Sequence, residues 1–522
     1  MNLLTDPVFR TQTPDGLACL SLPQLLEALG GDRVESLLGL QRHQEDAFHV
    51  FLCYLAGAVL ARENQTDPHQ TADFWLTGIR RLTGREDDCA WSLVIEDVTQ
   101  PAFMQAPVPK PGDFADFKPK AATPDALDVL PTAKNHDIKS SKAGRPLPEN
   151  WVYALISLQT MSGFFGQGNY GIARMNGGFG SRAVVSLAHS QRPGRRWHRD
   201  TARLQAVRGE LLAGDWKYQA QGHVLLWILP WDLKSSLSLA ALDPLYIEIA
   251  RAVRLLPAAG GIQALGASTK APRIAAGETG GVLGDPWTPI NLNDKKKGQS
   301  ALTVSASGLS PELLRNLLFK DGYKPAEMQQ ADAEADSPDC RFTATVLVRG
   351  QGTTDGFHHA SLPIPPGKAR RSIRRGSDER KRLAELSKTA LNDAKEMQNR
   401  VLKPAVIALL EGGPEKINFD RREVNQWLTD TAKQYSETWA ADFFPWLWRQ
   451  AEQEDKDAAR LEWLQALRDK AKAVLEDAIA RYPAREGRRY RSRVKAEGLF
   501  YGTLFKTFEQ LKETTHDAKH SA

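Results

Sequence analysis

The chain runs to 522 residues, with 42% hydrophobic and 25% charged side chains and a formal net charge of +5. That length exceeds one ordinary domain and predicts two, and the apolar content excludes a disordered chain. No apolar run approaches the roughly 20 residues of a spanning helix, which excludes a helical membrane protein.

The opening Met1–Pro7 has neither the basic lead nor the apolar stretch of a secretory signal, so a cytoplasmic location is expected. Cys19, Cys53, Cys89 and Cys340 form no Cys-x-x-Cys pair. Reduced, mostly buried thiols are expected, and no cysteine-built zinc site.

Helical patterns at Leu22–Leu29 and Glu45–Arg62 alternate with short β-branched runs and many Gly and Pro breaks, which reads as an irregular α+β body. Gln105–Pro148, rich in Pro, Lys, Asp and Ala, predicts a long loop. Two apolar runs, Phe342–Val348 and Phe357–Ile364, flank Arg349–Gly356 and predict a hairpin with a polar, Gly-rich tip. Beyond residue 377 the composition turns to Ala, Leu, Glu, Lys and Arg at helical spacing. Leu383, Leu386, Ala390, Met397 and Val401 share one face, as do Leu464, Leu467, Ala471, Val474 and Ala478. Breaks at Gly412-Gly413-Pro414, at Glu452–Lys456 and at Tyr482-Pro483 divide this region into four helices. The expected fold is α+β: a large mixed domain over 1–377, then a C-terminal four-helix bundle over 378–522. Trp427, Trp439, Trp446, Trp448 and Trp463 are expected to pack in that bundle.

Charge is unevenly distributed. Lys368–Arg382 carries eight basic residues, Arg485–Lys495 carries six, and Arg192, Arg195, Arg196, Arg199, Arg203 and Arg208 form a third cluster. Such clusters suit phosphate contact, because Lys and Arg release counterions from a nucleic-acid backbone, although each is equally a solvated face.

The densest motif is Ser162–Arg182, whose glycines are interleaved with Asn169, Arg174, Asn176 and Arg182. Gly166-Gln-Gly168-Asn-Tyr-Gly171 matches the dinucleotide fingerprint formally. Gly177, Gly178 and Gly180 forbid the helix that the fingerprint requires, and no acid stands about 20 residues on, so that reading fails. The composition instead suits close backbone approach to a polar surface, or a tight turn between buried strands. Asn135-His136-Asp137 invites a metal-dependent nuclease or phosphohydrolase using His136 and Asp137. The surrounding Lys134, Lys139 and Lys142 repel a cation, and no further ligands are spaced to help. No phosphate loop, nucleophile elbow or zincin helix is present. No metal, cofactor or catalytic residue is expected. A scaffold that binds only protein is the remaining alternative.

These residues carry a resemblance. Asn135–Lys139, Gly166–Gly178, Gly284-Asp-Pro-Trp-Thr-Pro289, Pro101-Ala-Phe-Met-Gln105 and the helical C-terminus occur in the order seen in CasA-type large subunits of the type I-E CRISPR Cascade complex, and the sequence resembles that family over its whole length. The resemblance implies a non-enzymatic subunit of an RNA-guided antiviral complex. Such a subunit reads the protospacer-adjacent motif (PAM) of double-stranded DNA from the minor groove with a glycine loop, a lysine finger and a glutamine wedge. Carried over, the glycine loop lies within Gly177, Gly178 and Gly180 or the preceding Gly163–Gly166, beside Asn169, Arg174 and Asn176. The finger corresponds to Lys270, and the wedge to Gln351 at the hairpin tip. Asn135, His136, Lys139 and Lys142 would dock on guide RNA and a backbone subunit. Implied partners are the backbone and small Cascade subunits, CRISPR guide RNA, target DNA with its displaced single strand, and a helicase-nuclease. Some members carry a cysteine cluster suited to zinc; this chain has no cysteine between Cys89 and Cys340, so no structural metal is implied.

Overall fold

The computed structural model describes residues 1–128, 146–161, 170–176, 182–331, 339–350, 353–373, 378–411, 421–453, 455–483 and 486–512. They form two compact units: Met1–Ser310 with Asn316–Pro363, and Pro311–Arg315 with Ile364–Ala522.

The first unit is built around the Arg42–Arg62 helix, whose Ala47–Leu60 stretch is apolar almost throughout and correspondingly buried almost throughout. Helices Ala72–Thr83, Pro148–Thr160 and Pro193–Ala213 surround it. Gly57 permits close packing, since a Cβ there would stand 3.2–3.3 Å from Leu245 and Leu204 methyls. Aromatic rings fill the rest of the core, with Phe48 edge-on to Tyr153 at 5.0 Å and Trp91 edge-on to Trp227 at 5.5 Å.

Three short antiparallel sheets matter for the site. Lys118–Ala121, Gly261–Ala267 and Ala252–Ala258 form one, in that order. Strands Ile290–Asp294, Gly298–Ala301 and Tyr323–Lys324 form a second. In the third, Arg341–Gly350 pairs with Val184–Ala188 on one side and Thr353–Pro363 on the other. The expected hairpin is thus present but longer than its apolar runs suggested. Pairing continues past a register shift at Val348/Arg349 to Gly350 opposite Thr353, because backbone ladders do not require apolar side chains. Thr345 donates to Asp46 at 2.8 Å, tying the hairpin to the central helix. Of the expected Gln105–Pro148 loop, residues 105–128 and 146–148 are described, and the first of these stretches is more than a loop. It contains a 3₁₀ turn at Pro111–Asp116, the strand Lys118–Ala121 and a short helix at Pro124–Asp128. Val108, Phe117, Ala121 and Leu127 are its buried apolar anchors, too few and too unevenly spaced for a readable period.

In the second unit, four long helical stretches appear among the described residues. Asp378–Glu396 continues through a π segment, Met397–Leu402, into Lys403–Glu411; Arg422–Arg449, Lys456–Arg481 and Glu486–Thr507 follow. The two expected apolar faces are buried at every named residue. Trp439, Trp446, Trp448 and Trp463 are buried too, with Trp463 donating to the Ala390 carbonyl at 2.9 Å. Trp427 is half-buried, under the Arg481 guanidinium.

Cys53 and Cys340 are buried as expected. Cys19 is exposed and Cys89 half-buried. Cys19 occupies an outward position of the alternating strand Gly16–Leu20.

Candidate functional site

Within the glycine-rich stretch, residues 170–176 and 182 are described. Ile172 and Met175 pack with Ala250, and the Met175 backbone runs directly over Gly281, where a Cβ would stand 2.4 Å from the Met175 carbonyl carbon. Gly281, at φ +81°, is therefore required both for its backbone and for the space it leaves. The Tyr170 hydroxyl donates to the Lys270 carbonyl at 3.2 Å, and the Tyr170 carbonyl accepts from Arg251. The structure thus brings the glycine-rich stretch to Lys270, whose side chain is exposed.

Arg174 does not face solvent, contrary to its expected place beside a DNA-contacting loop. Its guanidinium is buried, 3.7 Å from the Tyr246 ring centroid and 4.6 Å from that of Tyr54, and donates to the Pro244 carbonyl. Arg182 is also buried and forks onto Asp285, with its guanidinium 5.7 Å from the same Tyr54 ring. Burial alone would raise the Asp285 carboxyl, but Arg182 holds it below its ordinary value. Glu248 closes the cluster. It accepts from the Ala173 N–H, and burial pushes its carboxyl up to about 7 against the pull of Arg174. Asn176 is half-buried. Gly163, Gly166, Asn169, Gly177, Gly178, Gly180 and Gln351 lie outside the described residues, as do Asn135, His136, Asp137, Lys139 and Lys142.

Of the aromatic and acidic cluster, only Asp285 stood in a stretch singled out from sequence. Tyr54 lay unremarked within the Glu45–Arg62 helical pattern, and Tyr246 and Glu248 lay outside every feature named from the sequence.

Each arginine of the cluster from Arg192 to Arg208 meets a partner within the unit, although Arg192 and Arg195 stay exposed. Arg192 and Arg195 pair with Asp32, Arg196 with Asp46, Arg199 with Asp200 and Arg208 with Asp243, while Arg203 donates to Gln330. Two members of the Lys368–Arg382 cluster also turn inward: Arg370 is buried and donates to the Ile364 carbonyl, and Arg382 caps the carbonyls of Gln450, Ala451 and Gln453. In the Arg485–Lys495 cluster, Arg488, Arg491 and Lys495 are exposed.

One arrangement looks enzymatic at first. His49 Nε2 lies 2.8 Å from Asp200 and 3.6 Å from Cys53 Sγ. A base-activated nucleophile needs its acid and its thiol on opposite ring nitrogens; here both meet Nε2. Burial pushes the Cys53 thiol well up and holds the His49 imidazole below its ordinary value, which keeps the thiol protonated and the imidazole uncharged beside an ionised Asp200. Among the described residues no group of three or more His, Cys, Asp or Glu side chains is placed to hold a metal ion, and no helix is long and apolar enough to cross a membrane.

No protein-family model matches the sequence, and no curated protein does either. Solved structures do. A CasA from Thermus thermophilus aligns over 97% of this chain and 99% of its own at 15% identity, with a TM-score of 0.63. The chain has the CasA fold. The CRISPR-associated protein Cse1 of Acidimicrobium ferrooxidans aligns over 97% and 98% at 14% identity and TM-score 0.58. A chain of a CRISPR RNA-guided surveillance complex aligns over 96% and 99% at 13% identity and TM-score 0.55. A CasA fold spanning nearly the full length of both partners includes the mixed unit and the helical bundle alike.

Proposed function

We propose that this protein is the large, non-catalytic subunit of a type I-E Cascade-like complex that works in the cytoplasm in antiviral defence. It reads the PAM of double-stranded DNA from the minor groove and starts strand separation for R-loop formation. The observation that carries the reading is the likeness, over almost the whole chain, to CasA structures and to a chain of an RNA-guided surveillance complex. The contact between Tyr170 and the Lys270 carbonyl supports it locally, by joining the two stretches assigned to motif reading.

In this reading the glycines from Gly163 to Gly180, with Asn169 and Asn176, let the backbone approach the groove, where base edges separate A·T from G·C only coarsely. Arg174, being buried, acts from inside as an anchor of that stretch. Lys270 reaches the groove edge. Gln351 wedges the first base step, and pairing with guide RNA offsets the unstacking. Asn135, His136, Lys139 and Lys142 dock on guide RNA and a backbone subunit. The bundle packs on small subunits, helps hold the displaced strand and offers a surface to a helicase-nuclease. The mixed unit carries the reading loops.

The test is reconstitution with guide RNA and the remaining subunits. Complexes containing the chain are expected to prefer duplexes that carry the motif, and removal of the chain is expected to abolish that preference. Magnesium-dependent DNA cleavage by the chain alone, lost in Asp137→Ala, would overturn the non-catalytic assignment.

A further inference from the structure

We infer that Tyr170 is a positioning residue for Lys270: its hydroxyl fixes the backbone from which the lysine projects. The inference rests on the reading of Lys270 as a contact to the motif.

The backbone around Lys270 is held from both sides. Its N–H donates to the Leu233 carbonyl at 2.7 Å, and its carbonyl accepts from the Tyr170 hydroxyl at 3.2 Å. The neighbouring strands of chain are laced together as well. Ser236 donates to the Pro272 carbonyl at 2.6 Å, Leu237 N–H to the Arg273 carbonyl at 2.8 Å, and Ala275 N–H to the Leu237 carbonyl at 2.9 Å. Arg273 is buried and donates to the carbonyls of Leu226, Leu229 and Pro230.

Leu233 sits at φ +62°, a conformation that leucine adopts only when its surroundings impose it. The imposition is visible: Asp232 Oδ1 accepts from the Lys234 N–H, the Ser235 N–H and the Ser235 hydroxyl at 2.8–3.0 Å. A strained, multiply bonded turn therefore presents its carbonyl to Lys270 N–H, while Tyr170 secures the other side. The lysine side chain itself is left exposed. A four-carbon stem discriminates base edges only if its root is fixed, because every freedom of the root is averaged into the contact.

Tyr170 is 40% exposed, so its hydroxyl bond contributes little to global stability. Its effect should therefore appear in discrimination and not in melting. The experiment uses the assembled complex with the natural chain, Tyr170→Phe, Lys270→Ala and the double variant. The quantity read is the ratio of affinities for motif-bearing and motif-free duplexes, with thermal melting as a control. Lys270→Ala should lower the ratio about tenfold, within the range of one base-edge contact. Tyr170→Phe, which keeps the ring and removes only the hydroxyl, should lower it about threefold to tenfold, leave melting unchanged, and have no further effect beside Lys270→Ala. A ratio insensitive to Lys270→Ala refutes the reader assignment and this inference with it. A ratio sensitive to Lys270→Ala but insensitive to Tyr170→Phe, or reduced equally by Tyr170→Phe in both backgrounds, refutes the positioning role alone.

Discussion

Arg182 forks onto Asp285, Nε at 2.6 Å and Nη2 at 2.7 Å, with both side chains 2% exposed. The same carboxylate accepts from the Thr288 hydroxyl at 2.9 Å and the Trp287 backbone N–H at 3.2 Å. Together with Arg174, Arg182 brackets residues 177–181 in sequence, and both guanidinium groups lie over the Tyr54 ring. A buried hub thus anchors the chain on both sides of residues 177–181 in sequence.

Removing one member of this pair leaves a buried charge unpaired. Arg182→Ala is expected to cost about 3–5 kcal/mol, measured by chemical unfolding of the first unit. Arg182→Lys should cost less, because it keeps the charge and loses the fork. A loss below about 1 kcal/mol in Arg182→Ala would remove the hub from the account of stability.

Glu248 sets a pH dependence. Its folded value of about 7 lies above the ordinary carboxylate range, so the stability it contributes is complete below about pH 4.5 and is lost as pH rises through 7. Glu248→Gln keeps an acceptor for the Ala173 N–H without the charge. It should be more stable than the natural chain at pH 8, by an amount on the order of 1–3 kcal/mol, and match it near pH 5. Parallel melting curves from pH 5 to 8 would count against the assignment.

Arg254 is fully buried and bonds to backbone oxygens. It donates to the carbonyls of Ile95, Asp97, Gln100 and Gln105, and burial holds its guanidinium down to about 10. Arg254→Met keeps the stem and removes the donors, leaving buried carbonyls unsatisfied. The expected cost is at least about 2 kcal/mol, with faster amide exchange across 95–105. Unchanged exchange there would show that other donors hold the segment.

The bundle should fold independently. A fragment from Ile364 onward is expected to give a helical circular dichroism spectrum and a cooperative melt, and a strand-rich spectrum would refute this. Within it, Trp463→Ala should cost about 3–5 kcal/mol, because the ring packs 4.7 Å from Trp446 and its N–H satisfies the Ala390 carbonyl.

Gln351 gives a kinetic test of strand opening. Gln351→Ala should slow R-loop formation on fully paired targets and matter little on targets already unpaired beside the motif, where unstacking is not required. An equal effect on both substrates, or none on either, removes the wedge assignment.

How much of this was legible without coordinates depends on the range of the interaction. The bundle was, because Leu383, Leu386, Ala390, Met397 and Val401 meet one another through a 3.6-residue period within a single helical stretch, and Gly412 and Pro483 punctuate the sequence between helices. The hairpin was legible from its apolar runs, but its length was not, since ladder pairing between Arg349 and Thr354 leaves no trace in side-chain hydrophobicity. The arginines of the Pro193–Ala213 helix looked like a phosphate-binding face. Their partners Asp32, Asp46 and Asp243 arrive from distant parts of the chain, and only the tertiary fold pairs them. Arg174 was misjudged for the same reason. A guanidinium among glycines reads as solvent-facing until Tyr54 and Tyr246, contributed by a separate helix and a separate strand, close over it. Sequence by itself determined the local periods and the stops between them. Which charges remain free to meet a partner was decided by long-range packing, because desolvation and ion pairing depend on neighbours that no local pattern encodes.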